Sequence, residues 1–455
     1  MGKTYDVRIW AVRQRKDRNQ ASAELRWKTG ATPHSQTFRT KTLADGRRSE
    51  LMRALHEGEP FDEATGLPLR ELRQRNDVSW YQHARDYIAM KWPHSPGSTR
   101  RTLAEAMATV TPALVKDTKG MPDAGAVRTA LYSWAFNMKR HSEEMPPEVA
   151  RVLDWFERKS LPTSALADRM HVRAALNALT KKLDGTTAAA GTIRRKRAIF
   201  HNALGYAVDA ERLAGNPLPQ VQWKAPEQVE EELDLACVPD PLQAAALLDA
   251  VRTQSPRGRR LVAFFGCMYF AAARPAEVIG LRAGDCDLPR RGWGTLLLRE
   301  TRPRSGTAWT DSGESHDRRG LKHRPRKAVR VVPIPPDLVA LLRWHVTAYG
   351  VAPDGRLFRT DRGGLIQDTG YGEVWAEARR RALPPAQYAS LLAKRPYDLR
   401  HAAVSTWLSS GVEPQLVAKR AGHSVTVLFR VYAKCLDGEA ATANARIEAA
   451  LKGGR

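Results

Sequence analysis

The chain has 455 residues, with 73 Lys and Arg against 49 Asp and Glu, a formal net charge of +24 and a pI near 10.2. With 42% apolar residues this is a folded protein with an electropositive surface, not a disordered basic tail. Its length suits about two to four domains. The charge points to nucleic acid as partner, because Lys and Arg neutralising phosphates supply most non-specific DNA affinity; an Arg-rich overall composition is the bland alternative. The four cysteines, Cys237, Cys267, Cys286 and Cys435, make no C-x-x-C pair, so neither a zinc site nor a disulfide framework is expected. The first residues carry no apolar secretory core. The longest apolar run, Leu261 to Ala273, is too short to span a bilayer and reads as a buried helix. The expectation is a cytoplasmic protein associated with the nucleoid, with no membrane partner.

The predicted architecture is multidomain and mainly α, with small β elements. Residues 1–60 open with alternation at Val7, Ile9 and Ala11, a second strand over Ser22–Lys28 and a third over Gln36–Thr40. A helix near Leu43–Leu55 follows. Residues 1–55 hold 13 Lys and Arg against 5 Asp and Glu, an excess of 13 − 5 = +8. A small basic sheet with one helix reads either as a DNA-reading module or as a solvated edge. Glu57–Pro68 reads as a linker.

Residues 77–225 read as a helical domain. One amphipathic stretch opens at Ser79-Trp80-Tyr81, and others cover Ser98–Val115, Ala124–Lys139, Pro147–Arg158, Ser164–Leu183 and Thr192–Glu211. In the last, Ile193, Phe200, Leu204 and Ala207 share a face, while Arg194, Arg195, Lys196 and Arg197 crowd the first turns and are candidate phosphate contacts. Asn216-Pro217 stops it. The acidic Glu227–Asp234 reads as a hinge.

Residues 238–455 mix helices with a short sheet. Gly294–Arg299 and Val329–Ile334 read as strands, flanking a polar stretch, Glu300–Arg319, expected to be a mobile loop. Arg274 follows the apolar helix and precedes Pro275. Proline excludes its predecessor from helix and itself suits a first helical turn, so Arg274 stands beside a new helix N-terminus that favours an anion. Glu277 either caps that turn or braces the guanidinium. Asp398-Leu399-Arg400-His401 opens a helix whose apolar pairs, Ala403 with Trp407 and Val404 with Leu408, are core. That fixes Arg400 at the start of the helix, and His401 is expected to pack or to make a structural hydrogen bond. Glu413-Pro414 starts a short helix closing at Gly422, His423 takes the turn, and Ser424 caps a last helix carrying Tyr432, a segment expected to move or to order on DNA.

Arg274-x-x-Glu277, a basic hairpin with Lys322, Arg400-His401, Gly422-His423 and Tyr432, in that order over residues 274–432, resemble the catalytic set of the phage-integrase (lambda integrase-like) family of tyrosine recombinases. The resemblance implies a basic N-terminal arm-binding-like module over 1–60, a helical core-binding (SAM-like) domain over 77–225 and an α+β catalytic domain over 238–455. It also implies roles. Arg274 and Arg400 would clamp the scissile phosphate. Tyr432 would be the nucleophile, a phenol whose ordinary pKa near 10 needs cations or a base beside it. His423 would assist proton movement, and Lys322 would protonate the departing 5′ oxygen. Arg324, Arg326 and Lys327 rival Lys322 in that hairpin. Asp398, where the family is expected to carry a histidine, would orient Arg400 or His401, since a carboxylate repels a phosphate.

The activity implied is site-specific DNA recombination through a 3′-phosphotyrosyl intermediate, needing no cofactor, metal or ATP. The partners implied are double-stranded DNA attachment sites, a tetramer of the chain on DNA, and a directionality factor or DNA-bending protein. The C-terminal segment Asp437–Leu451 would dock on a neighbour or cap its own domain. The alternatives are a type IB topoisomerase-like enzyme that relaxes any supercoiled DNA and a non-catalytic DNA-binding regulator.

Overall fold

The computed structural model describes residues 2–15, 22–224, 233–321, 325 and 328–432, together with positions 444, 448, 451 and 452. Lys322 and its rivals Arg324, Arg326 and Lys327 lie outside the described residues, as do most of the hinge 227–234 and most of the C-terminal segment 437–451. The chain divides into two compact units, 1–95 with 99–227 and 96–98 with 228–455. It is mainly helical, with small antiparallel sheets. Among the described residues no helix is long and apolar enough to cross a membrane.

In the first unit β1 (Val7–Ile9), β2 (Arg13–Arg15) and β4 (Thr32–Phe38) all pair antiparallel with β3 (Ser22–Thr29). The β3–β4 hairpin turns at Gly30. Leu25 and Trp27 on β3 bury against Leu51 and Ala54 of helix α1 (Lys41–His56), whose first turn is capped by the Thr40 hydroxyl. The expected sheet and helix are thus present, with the last strand starting earlier than the alternation suggested.

The helical part of this unit includes α2 (Trp80–Lys91), α3 (Gly97–Val110), α4 (Pro147–Lys159), α5 (Arg169–Ala178) and α6 (Ala190–Asp209). Its core is aromatic: Trp80 meets Phe200 edge-on at 5.6 Å, and Phe136 and Phe156 are fully buried. Two predicted helices are interrupted. The expected Ala124–Lys139 is a short α turn over Ala124–Arg128, a widened π turn over Thr129–Ala135 and a 3₁₀ turn over Met138–Ser142. Leu131, Trp134 and Ala135, three and four residues apart, all face the core. The expected Ser164–Leu183 breaks at Asp168, whose carboxylate caps α5 by accepting from the Met170 N–H.

In the second unit, α7 (Pro241–Gln254), α10 (Pro336–Tyr349) and α12 (Asp398–Ser409) surround α8 (Pro256–Phe270). Residues Leu261 to Met268 are buried throughout, so the long apolar run is a central helix. The short α9 (Pro275–Gly280) follows. Strands β5 (Cys286–Asp287), β6 (Gly294–Leu298) and β9 (Arg330–Ile334) form an antiparallel sheet in the order β9-β6-β5. Pro333 is tolerated because β9 lies at the edge. Helices α11 (Asp368–Ala382), α13 (Pro414–Ala421) and α14 (Val425–Tyr432) complete the unit.

The stretch from Glu300 to Arg319 corrects the expectation of a loose loop. Its ends pair as β7 (Glu300–Thr301) and β8 (Arg319–Gly320), and Arg304 bridges to His316. Trp309, Ser305, Thr310 and His316 are buried. Its polar composition hides one large apolar anchor and several side chains that bond within the stretch, such as Thr310 Oγ1 to the Glu314 carbonyl at 2.6 Å.

Candidate active site

Arg274 stands at the break between α8 and α9 in extended conformation, φ −77° and ψ 146°. Glu277 both caps and braces. Its Oε2 accepts from the Arg274 backbone N–H at 2.8 Å, and its Oε1 accepts from Arg274 Nη1 at 2.9 Å. Nη2 of Arg274 donates to the Gly422 carbonyl at 2.9 Å, which ties the α9 end of the site to the turn carrying His423.

Arg330 is a member of this cluster that sequence reasoning missed. It is 2% exposed and donates from Nη1 and Nη2 to the two Glu277 oxygens at 2.9 and 2.7 Å. A signal for it existed. The period of two along β9 puts Arg330 on the same face as Val332 and Ile334, both fully buried. An arginine on an inward strand position needs a carboxylate partner. Burial alone would raise the Glu277 carboxyl, but Arg330 and then Arg274 outweigh it and hold it at about 2.

Arg400 comes from the start of α12 and is fully buried. It donates to the Ala272 carbonyl through Nη1, to the Ala421 carbonyl at 2.6 Å and to His423 Nε2 at 2.7 Å through Nη2. Burial, then the nearby Arg274, brings its guanidinium down to about 10. His423 follows Gly422, which ends α13 in the left-handed region at φ +69°. Burial first, then Arg400, holds the imidazole at about 3. Arg400 can only donate, so His423 Nε2 accepts and its proton sits on Nδ1. That Nδ1, Arg400 Nε and Arg330 Nε are buried with no hydrogen-bond partner. Three arginines against one carboxylate, with unanswered donors among them, make this an anion site.

Tyr432 ends α14, whose first turn is capped by the Ser424 hydroxyl at 3.2 Å, as expected. Its side chain is 1% exposed and stacks with His423 at 6.1 Å and 27°. Its hydroxyl lies 2.8 Å from Nδ1 of His401, so the hydrogen bond expected of His401 is to the tyrosine itself.

Asp398 departs from its expected role. Its carboxylate turns back on Arg395, accepting from the backbone N–H at 2.8 Å and from Nη2 at 3.1 Å, rather than orienting Arg400 or His401. It closes the turn that starts α12, and burial raises its pKa. The side chain that faces the arginines is Tyr397, which sequence reasoning also missed. Its ring lies 6.0 Å from Arg400 Cζ, and its edge meets His401 at 5.2 Å.

The structure therefore brings together Arg274, Glu277, Arg400, His401, His423 and Tyr432. Arg194, Arg195, Lys196 and Arg197 lie on α6 in the first unit, and one of them corrects the expectation of four phosphate contacts. Lys196 is 7% exposed and points inward with Ile193 and Phe200, its ammonium 3.1 Å from Glu105 and from the Thr109 hydroxyl. Arg194 and Arg195 are exposed. Among the described residues no group of three or more His, Cys, Asp or Glu is placed to hold a metal ion.

A buried anion site of paired arginines beside a tyrosine is what a phosphoryl-transferring tyrosine enzyme requires. No family model matches the chain. It is 23% identical over 289 residues to the tyrosine recombinase XerC of Halalkalibacterium halodurans, covering 61% of this chain and 81% of that protein. Among solved structures it is similar to the Tn1549 transposon integrase in complex with a circular intermediate DNA, at 16% identity and TM-score 0.45 over 64% of this chain and 90% of that one. It is also similar to a lambda integrase dimer bound to a core site, at 12% identity and TM-score 0.46 over 94% and 95%. The sequence likeness is thus to a tyrosine recombinase, over 61% of this chain.

Proposed function

We propose that the chain is a site-specific DNA recombinase, the integrase of a phage or other mobile element, and that Tyr432 is its nucleophile. The Tyr432 oxygen attacks phosphorus, the bond to the 5′ oxygen breaks, and the chain keeps the DNA as a 3′-phosphotyrosyl ester. A 5′ hydroxyl of the partner duplex reverses the step. Arg274 and Arg400 neutralise the non-bridging oxygens, and His423 offers its Nδ1 proton to the phosphate. A cation of the 322–327 segment, with Lys322 first, protonates the leaving oxygen.

The observation that carries this reading is the Gly422-His423 turn. Arg274 holds its carbonyl, Arg400 holds its imidazole and the Tyr432 ring stacks on that imidazole. Phosphate clamp and nucleophile thus meet at one short turn. Partners on this reading are double-stranded attachment sites, three further copies of the chain, and a directionality or DNA-bending protein. The setting is the bacterial cytoplasm, on the nucleoid.

The test is incubation with a nicked duplex, selected for binding from a random-sequence pool, in the presence of EDTA. A denaturant-resistant protein–DNA adduct from the unaltered chain, absent from Tyr432→Phe, is the expected result. Tight binding with no adduct from either would leave a DNA-binding regulator.

A further inference from the structure

Two imidazoles flank Tyr432, and they are not equivalent. His423 has its Nε2 lone pair occupied by Arg400 and carries its proton on Nδ1, so it can only donate. His401 puts Nδ1 2.8 Å from the Tyr432 hydroxyl, with the rings 5.8 Å apart at 47°. Arg400 and His401 are neighbours on the first turn of α12, yet they point to different halves of the reaction. One reaches the anion site and the other the tyrosine.

His401 is held for this. The Tyr397 ring meets its face edge-on at 5.2 Å and 67°. It also borders a cleft of about 480 Å³ shared with Cys237, Lys394, Arg395, Asp398 and Val431, which gives the ring access to water. The charged and titratable groups around it are Tyr397, Arg400, Arg395 and Asp398 from its own segment, Lys394, Asp234 and Cys237 around the cleft, Tyr432 from the last helix and His423 from the turn before it. Burial first, then Arg400 and Arg395, hold the imidazole at about 4, so at neutral pH it is uncharged and keeps a lone pair.

We infer that His401 is the base of the reaction: its Nδ1 takes the phenolic proton as the Tyr432 oxygen bonds to phosphorus. The inference rests on Tyr432 being the nucleophile. In the forward step the oxygen–phosphorus bond forms, the bond to the 5′ oxygen breaks and the phenolic proton passes to Nδ1. The 5′ oxygen takes its own proton from the separate acid of the 322–327 segment. The imidazolium then releases its Nε2 proton to water in the cleft. In the rejoining step Nε2 takes a proton back from water as Nδ1 returns its proton to the departing phenol.

The experiment is single-turnover adduct formation on the nicked duplex, with DNA binding measured alongside. His401→Asn places an amide oxygen where Nδ1 stands, which keeps the hydrogen bond but removes the base. The expected result is unchanged DNA binding and an adduct rate about 100-fold lower. The defect shrinks as pH rises toward the phenol's own range. His401→Ala, whose truncation opens the cleft, is expected to regain rate on addition of free imidazole, and Tyr432→Phe is not. An Asn variant within about threefold of the unaltered rate would overturn the inference. So would a slow variant with an unaltered pH profile and no imidazole rescue, since that is the behaviour of a merely structural contact. Absence of adduct from the unaltered chain, or adduct from Tyr432→Phe, would instead remove the nucleophile itself and the inference with it.

Discussion

Glu277 grips Arg330 with both carboxylate oxygens, at 2.9 and 2.7 Å, while the same carboxylate holds Arg274. Both partners in the pair are nearly fully buried, at 2% exposure each. The pair therefore positions the phosphate-facing arginine from behind, from a strand that touches neither Tyr432 nor His423 in any bond described above. Its desolvation makes the arrangement all-or-none: with both charges present each is satisfied, and with one removed the other is stranded.

Removing either member alone is expected to be costly. Arg330→Met or Glu277→Gln should lower stability by about 3–5 kcal/mol, read from urea unfolding. A cost below about 1 kcal/mol would mean that the buried charges are relieved some other way.

Gly422 is required by both its backbone and its surroundings. Its φ is +69°, and a Cβ added there would stand 2.3 Å from Arg330 Nη1. Gly422→Ala should therefore destabilise the second unit by more than about 1 kcal/mol. It should also slow adduct formation, because the turn carries His423. Thermal unfolding together with the adduct assay checks both halves.

Arg274 uses the fork of its guanidinium, one arm on Glu277 and one on the Gly422 carbonyl. Arg274→Lys keeps the charge but cannot span both. The expected outcome is an adduct rate lower by about 10²–10³, with DNA binding altered only a few-fold. An active lysine variant would show that charge alone suffices.

On α6 the cations should separate into two groups. Arg194→Ala and Arg195→Ala are expected to weaken DNA binding and to reduce the slope of log affinity against log salt by about 1 each. Lys196→Met should leave that slope unchanged and cost about 1.5–3 kcal/mol of stability instead, through loss of its bonds to Glu105 and Thr109. Filter binding over a salt series distinguishes the two groups.

Stability should fall on acidification. His83 and His401 are held near 4 and His423 near 3, each chiefly by burial, against an ordinary value of 6.5. Below about pH 6.5 the unfolded chain binds protons that the folded chain refuses, so stability present above that pH is lost progressively toward pH 3–4. Glu277, held at about 2 against an ordinary 4.5, adds a further loss as pH falls through that lower window. A melting temperature that stays constant from pH 7.5 to 4.5 would contradict this account.

Much of the site could be read from spacing, because its members sit where local rules fix the backbone. Pro275 forces Arg274 out of helix, Gly422 supplies the left-handed turn before His423, and Ser424 caps the helix that ends in Tyr432. These rules act over a few residues, so they are written along the chain. The same holds for the apolar run that became the central helix and for the strands that carry Leu296 and Val332.

Partnerships across the fold were decided only by packing. The sequence offers Asp398 and Arg400 as neighbours two residues apart, yet the first turn of α12 sends one to Arg395 and the other into the core. Tyr397, not Asp398, ended beside the arginines for the same reason: direction around a helix start depends on what fills the space next to it. Lys196 went inward because it shares the stripe of Ile193 and Phe200 and met Glu105 there. Arg330 lies 53 residues from Glu277, and no local rule reaches that far. The residue types and their order are properties of the chain, whereas the pairing of buried charges, and of His401 with Tyr432, follows from which desolvated groups the folded core can satisfy.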